Sequence, residues 1–368
     1  MSSVGVQAQN SNDVELYSNF INSLRSKATK EGYDYMLNKF MQFHRIPEGN
    51  YSALMVSTRE AKEQLIKSYV LYLVGKKNAS TSYIKMTMST LKNFYEMNDV
   101  EDINWRKLKR FMGEETPTND TKCYTHEQIL TLISNAKSSK LKCAVLLMAS
   151  AGLRIGALES IKVGHLERRD NLYKVSVYKG LKGKGSYFTF CSPETATQID
   201  SMLDQRRRAG EKIDDNSPLL RRDYDSSFLE QARNNVLPWR SAAVHRGVYD
   251  LLVATGLTTV DHTAYRRKDV KMSHGLRSFF VKQLVNANIH DIIIKKLTGH
   301  APGRDMTQLY SKQTEEELLS NYLLAVDNLT INPENRLRRK VQKLEVERTE
   351  IQSLALELEK IKKATGLT

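Results

Sequence analysis

The sequence predicts a mainly α-helical fold with a small antiparallel β-sheet, an α+β chain in two domains. Three observations predict it. Apolar residues recur at helical spacing over residues 13–112 and again from Arg240 to Leu329, and between them residues 172–191 switch to a period of two. A polar, proline-containing run, Gly-Glu-Glu-Thr-Pro-Thr-Asn-Asp-Thr, interrupts the chain at residues 113–121. The length of 368 residues suits two or three domains, each able to bury its own core.

The elements follow in order. Residues 1–12 are small and polar, and are expected to be a flexible terminus. In 13–112 four helices are marked by Phe20, Ile21 and Leu24, then Tyr33, Met36, Leu37 and Phe40, then Ala61, Leu65, Tyr69 and Tyr72, and finally Ile84, Met88, Leu91 and Tyr95. Lysines and arginines such as Arg25, Lys30, Lys62, Lys67, Lys85 and Lys92 punctuate their polar sides, either as solvated faces or as a surface lying along a phosphate backbone. Residues 113–122 read as a linker. The second domain, 123–331, opens on Thr125-His126-Glu127-Gln128, a capping-box pattern ahead of Ile129, Leu132 and Ile133. A nearly all-apolar helix follows at 143–151. Leu172, Val175 and Val177 alternate, a lysine- and glycine-rich tip interrupts, and Tyr187-Phe188-Thr189-Phe190 resumes, as in a hairpin. Ser192-Pro193 caps a helix ending in Arg206, Arg207 and Arg208; residues 214–238 look irregular. In the tail, 332–368, Leu337, Leu344, Ile351 and Leu358 fall every seven residues, which fits a coiled coil or docking helix, or an amphipathic helix lying on its own domain.

Charge narrows the partners. Lys and Arg number 56 against 42 Asp and Glu, a net +14, with a pI near 9.4. That is the footprint of a polyanion binder, although charge alone does not separate DNA, RNA, anionic lipid or a merely solvated basic surface. No run of 18 apolar residues occurs, so no membrane span is expected. No secretory signal is visible, and Cys123, Cys143 and Cys191 have neither zinc nor disulfide spacing; a reducing, cytoplasmic setting fits.

Four clusters carry chemistry. Gly152-Leu153-Arg154-Ile155-Gly156 puts an arginine at a helix mouth, and Lys179, Lys182 and Lys184 crowd the hairpin tip. His274-Gly275-Leu276-Arg277 sets an imidazole and a guanidinium three residues apart on a helix. Leu297-Thr298-Gly299-His300 is followed ten residues later by Tyr310. Two arginines clamp a phosphate and neutralise charge as its transition state develops. Lysine supplies a mobile proton, histidine titrates near neutrality, and an arginine-lined pocket favours a tyrosine oxyanion. The set suits attack of a phenolate on a phosphodiester. No acidic cluster with metal spacing accompanies it, so neither metal nor cofactor is expected.

This ordered set resembles the tyrosine recombinase, or phage integrase, family over roughly residues 13–325. The resemblance implies a helical core-binding domain and a catalytic domain that together enclose double-stranded DNA at a specific attachment site. It further implies strand exchange by four protomers through a four-way junction, in the cytoplasm at the nucleoid. Carried over by motif, Arg154 and Arg277 are the phosphate clamps, His274 the acid/base, His300 a partner of the phosphate, and Tyr310 the nucleophile. Lys182 is the favoured lysine, with Lys179 and Lys184 left open. Many relatives place the tyrosine nine residues after the second histidine, where this chain places it ten after. Tyr265 and Tyr322 compete with Tyr310, though Tyr322 shares an apolar face with Leu318 and Val326. A type IB topoisomerase and a DNA binder without catalysis are the rival readings.

Overall fold

The computed structural model describes residues 3–55, 58–76, 79–113, 123–223, 236–258, 272–300 and 313–365. The chain divides into two compact units, Met1–Asn119 and Asp120–Thr368.

The first unit consists of α1 (Ser3–Asn22), α2 (Lys27–Phe43), α3 (Arg59–Gly75), α4 (Thr81–Glu96) and the short α5 (Trp105–Lys109). Ser26, Thr58, Ser80 and Asn104 each cap a helix by accepting a backbone N–H, which contributes about 1 kcal/mol apiece. The apolar faces meet as their spacing requires: Phe20, Leu37, Phe40, Ile66, Leu91 and Tyr95 are fully buried in one core. Two expectations need correction. Helix α1 begins at Ser3 rather than near residue 13, because propagation adds one hydrogen bond per residue upstream of the packed Leu16 and Phe20, and no proline intervenes. Lys62 is not on a solvated side; it is 8% exposed, its ammonium 3.9 Å from Asp102.

The second unit runs α6 (His126–Asn135), α7 (Ser139–Ser150), α8 (Ile155–Leu158), β1 (Leu166–Arg169), β2 (Leu172–Val177), β3 (Tyr187–Cys191), α9 (Pro193–Arg208), α10 (Ser241–Ala254), α11 (Met272–Asn286), α12 (Asp291–Leu297), α13 (Glu315–Leu329) and α14 (Pro333–Thr365). The capping box at Thr125 forms in both directions, with Gln128. From Cys143 to Ala149 helix α7 is apolar all round and correspondingly buried, the central helix of this core. The hairpin pairs Val175 with Thr189 and Val177 with Tyr187; β1 adds an edge through Leu166 and Val175. Arg169 and Lys174 of the sheet both bond Glu315, the first residue of α13. Glu194, in the first turn of α9, accepts the N–H groups of Ile331 and Asn332 at 2.7 and 3.0 Å and fixes the end of α13.

Helix α14 does not lay its apolar stripe on the second unit. Leu337, Leu344, Ile351 and Leu358 are all more than half exposed, and its base is tied by Arg339 and Lys343 to Asp327. No described helix is long and apolar enough to cross a membrane.

Candidate active site

Two tight turns and one helix of the second unit build the site. After α7, Gly152 adopts φ +62° in the left-handed region, with its Cα against Phe280, so that a Cβ there would lie 2.3 Å from the ring. The turn delivers Arg154 to the mouth of α8. After α12, Gly299 adopts φ +60° against the ring of Tyr187, where a Cβ would again come within 2.3 Å. Only glycine meets both demands at either turn.

Arg277, on α11, bridges the two turns. Its Nη1 donates to the Gly152 carbonyl at 2.5 Å and its Nη2 to the Thr298 carbonyl at 2.6 Å. The Arg154 Nη1 reaches the Thr298 and Gly299 carbonyls at 3.4 Å, so one backbone oxygen serves both guanidiniums. Arg277 is only 4% exposed, yet among the described residues neither it nor Arg154 has an ion pair with an acid. Burial, then the charge of Arg154, pushes its pKa down, but a guanidinium stays protonated. Structural arginines of the same unit differ: Arg206 and Arg221 both pair with Glu211 at 2.6 Å. A buried guanidinium beside a second, half-buried one, with no acid to pair them, is arranged as an anion site.

His300 lies at the edge of this site. Its Nδ1 is 2.7 Å from Thr298 Oγ1, whose hydroxyl also reaches the Ile294 carbonyl at 2.6 Å. The hydroxyl has one proton; directed to Ile294, it leaves the oxygen to accept Nδ1–H and puts the lone pair of the neutral ring on Nε2. Desolvation of the ring, then the charges of Arg277 and Arg154, hold its pKa below the ordinary histidine value.

His274 is exposed in the first turn of α11, one helical turn before Arg277. Lys182 is exposed at the hairpin tip and has no bond to either arginine among the described residues, whereas Lys184 packs back over the Tyr178 ring at 4.7 Å. Tyr310 and Tyr265 lie outside the described residues. Tyr322 is fully buried and donates to the Ser150 carbonyl at 2.8 Å, so it is a core residue as its spacing implied. His126 is likewise structural, with Nε2 2.7 Å from the Asn328 carbonyl oxygen. Thr298 and Tyr187 are part of the site although sequence reasoning gave neither a role. Thr298 sits within the Thr-Gly-His motif, which was the available signal; Tyr187 read only as a strand residue. No group of three or more potential metal ligands occurs among the described residues.

A helical unit followed by a helical domain with a three-stranded sheet carries, among the described residues, two converging arginines that no acid neutralises, an arrangement suited to a phosphate. The chain belongs to the phage integrase family, whose sequence model matches residues 122–317, and its enzyme class is that of the tyrosine recombinases. It is 25% identical over 294 residues to the tyrosine recombinase XerA of Pyrococcus horikoshii, covering 80% of this chain and 86% of the relative. Its fold is similar to that of the Tn1549 transposon integrase in complex with circular intermediate DNA, with a TM-score of 0.55 and 16% identity over 84% of this chain and 98% of that one. It is also similar to a lambda integrase tetramer bound to a Holliday junction, with a TM-score of 0.51 and 18% identity over 83% and 78% of the two chains.

Proposed function

We propose that this recombinase cuts DNA by attack of the Tyr310 oxygen on a phosphodiester held by Arg154 and Arg277. The P–O bond to the 5′ oxygen breaks, a 3′-phosphotyrosyl bond forms, and the 5′-hydroxyl leaves with a proton supplied by Lys182; His274 takes the tyrosine proton. Because the phosphotyrosyl bond retains the energy of the broken one, religation to another strand needs no nucleotide. His300 accepts a proton at Nε2 as the phosphate charge arrives, and then donates to a non-bridging oxygen.

The observation that carries this reading is Arg277, a buried guanidinium bonded to two backbone carbonyls, beside a second arginine and without an acid. Membership of the phage integrase family supports a specific double-stranded DNA site, exchange between four protomers, and work at the nucleoid. The exposed stripe of α14 supports contacts between protomers.

The test uses a pool of nicked duplexes carrying a random segment. Detergent-resistant protein–DNA adducts are recovered and sequenced, which defines the site and the cut position. Wild type should enrich one sequence and Tyr310→Phe should form no adduct. Adducts that persist in Tyr310→Phe would assign the nucleophile elsewhere.

A further inference from the structure

We propose that Tyr187 is a third hydrogen-bond donor to the phosphate held by Arg154 and Arg277; this rests on the recombinase reading above. Tyr187 is the first residue of β3, opposite Val177. Its ring lies directly over the Gly299 Cα and meets the Tyr178 ring edge-on, at 6.3 Å between centroids and 67° between planes. Its hydroxyl lies beside the charges of Arg277 and Arg154.

That hydroxyl is buried, with the Arg277 guanidinium close enough to donate to its oxygen, but its own proton has no acceptor among the described residues. Two fully buried tyrosines differ. Tyr95 donates to the Leu54 carbonyl at 3.1 Å, and Tyr322 to that of Ser150 at 2.8 Å. A buried hydroxyl proton without an acceptor is uncommon enough to require a cause. Here the neighbouring charges are the guanidiniums of Arg277 and Arg154. Guanidinium groups only donate, so neither provides an acceptor for the phenolic proton. An oxygen of the anion that both arginines are arranged to hold is the acceptor this environment lacks.

The protonation state agrees with a donor. Burial raises the phenol pKa above its ordinary value against the opposing charge of the two arginines, so the group keeps its proton near neutrality. Tyr187 therefore serves as a donor and does not compete with Tyr310 as a nucleophile.

The experiment takes the duplex recovered from the random pool and measures single-turnover adduct formation by wild type and Tyr187→Phe. It is repeated on the two methylphosphonate diastereomers at the cut position, each lacking one non-bridging oxygen. Tyr187→Phe keeps the ring over Gly299. It should bind the duplex within about twofold of wild type and form the adduct about tenfold or more slowly. That penalty should vanish on one diastereomer, the one lacking the oxygen that Tyr187 contacts, and persist on the other. Equal rates for the two proteins on the natural phosphate would overturn the proposal, and so would an equal penalty on both diastereomers, which marks a packing role. If wild type forms no adduct with any duplex of the pool, the recombinase reading itself falls, and the role of Tyr187 with it.

Discussion

Thr298 Oγ1 lies between His300 Nδ1 at 2.7 Å and the Ile294 carbonyl oxygen at 2.6 Å, so one buried hydroxyl joins the end of α12 to the imidazole at the site. The ring is exposed; its orientation comes from this residue. Thr298→Val should leave Nδ1 without its partner and lower stability by about 1 kcal/mol. Adduct formation should fall about tenfold, with DNA affinity little changed, and Thr298→Ser should restore it. Thermal melting and single-turnover cleavage read the two effects separately, and a Val variant as fast as wild type would remove Thr298 from the positioning of His300.

The same histidine gives a pH dependence of definite sign. Its pKa in the folded chain is below the ordinary value, through desolvation and the neighbouring arginines. The folded state therefore binds fewer protons than the unfolded state below about pH 6.5. Its contribution to stability is fully present above that pH and declines as the pH falls through the native value. Long-range nitrogen–proton NMR of the DNA-free protein should place the His300 midpoint below 6.5, with Nδ1 carrying the proton of the neutral ring. A midpoint above 6.5 would contradict the electrostatics described.

Glycine positions separate backbone strain from packing. Gly180 and Gly299 both have positive φ, but a Cβ at Gly180 meets nothing, while one at Gly299 enters the Tyr187 ring. Gly180→Ala should cost about 1–2 kcal/mol. Gly299→Ala should cost several kcal/mol in all, since the overlap adds to the same strain, and it should abolish adduct formation. Equal losses in denaturant melts would mean the ring moves aside freely.

Glu211 is the structural counterpoint. Hydrogen bonds from Arg206 and Arg221 outweigh its burial and hold its carboxyl below the usual carboxylate range. Its stabilisation is present above about pH 4.3 and is lost as the pH falls through the lowered native value. Glu211→Gln leaves two buried guanidiniums poorly paired and should cost about 3 kcal/mol at neutral pH. The wild-type advantage should shrink in melts below pH 4; an advantage that grows on acidification would reverse the assignment.

Much of this was legible in the sequence, for reasons that can be located. The Thr125 box, the Ser192-Pro193 cap and the strand alternation at Val175 and Val177 are local signals that tertiary packing reinforces. Arg154 and Arg277 stood out because a helix mouth and an HxxR spacing constrain their chemistry. Strand β1 was missed: Leu166-Glu-Arg-Arg has no alternation, and only the Asp170-Asn171 turn, with Asp170 at φ +50°, signalled a second hairpin. Lys62 reads as a surface residue because the pairing that accompanies its burial comes from Asp102, forty positions away. Tyr187 was hidden by its strand, since nothing in Tyr-Phe-Thr-Phe shows that Gly299 comes to lie beneath the first ring.

The uncompensated arginine pair also sets two like charges close together in the folded chain. Holding two like charges together without an acid opposes folding, and on the proposed reading a bound phosphate relieves it. Replacing Arg277 by methionine should eliminate strand cleavage and lower the melting temperature, because the Gly152 and Thr298 carbonyls lose their charged donor. By linkage, bound DNA should raise the melting temperature of wild type more than that of the variant.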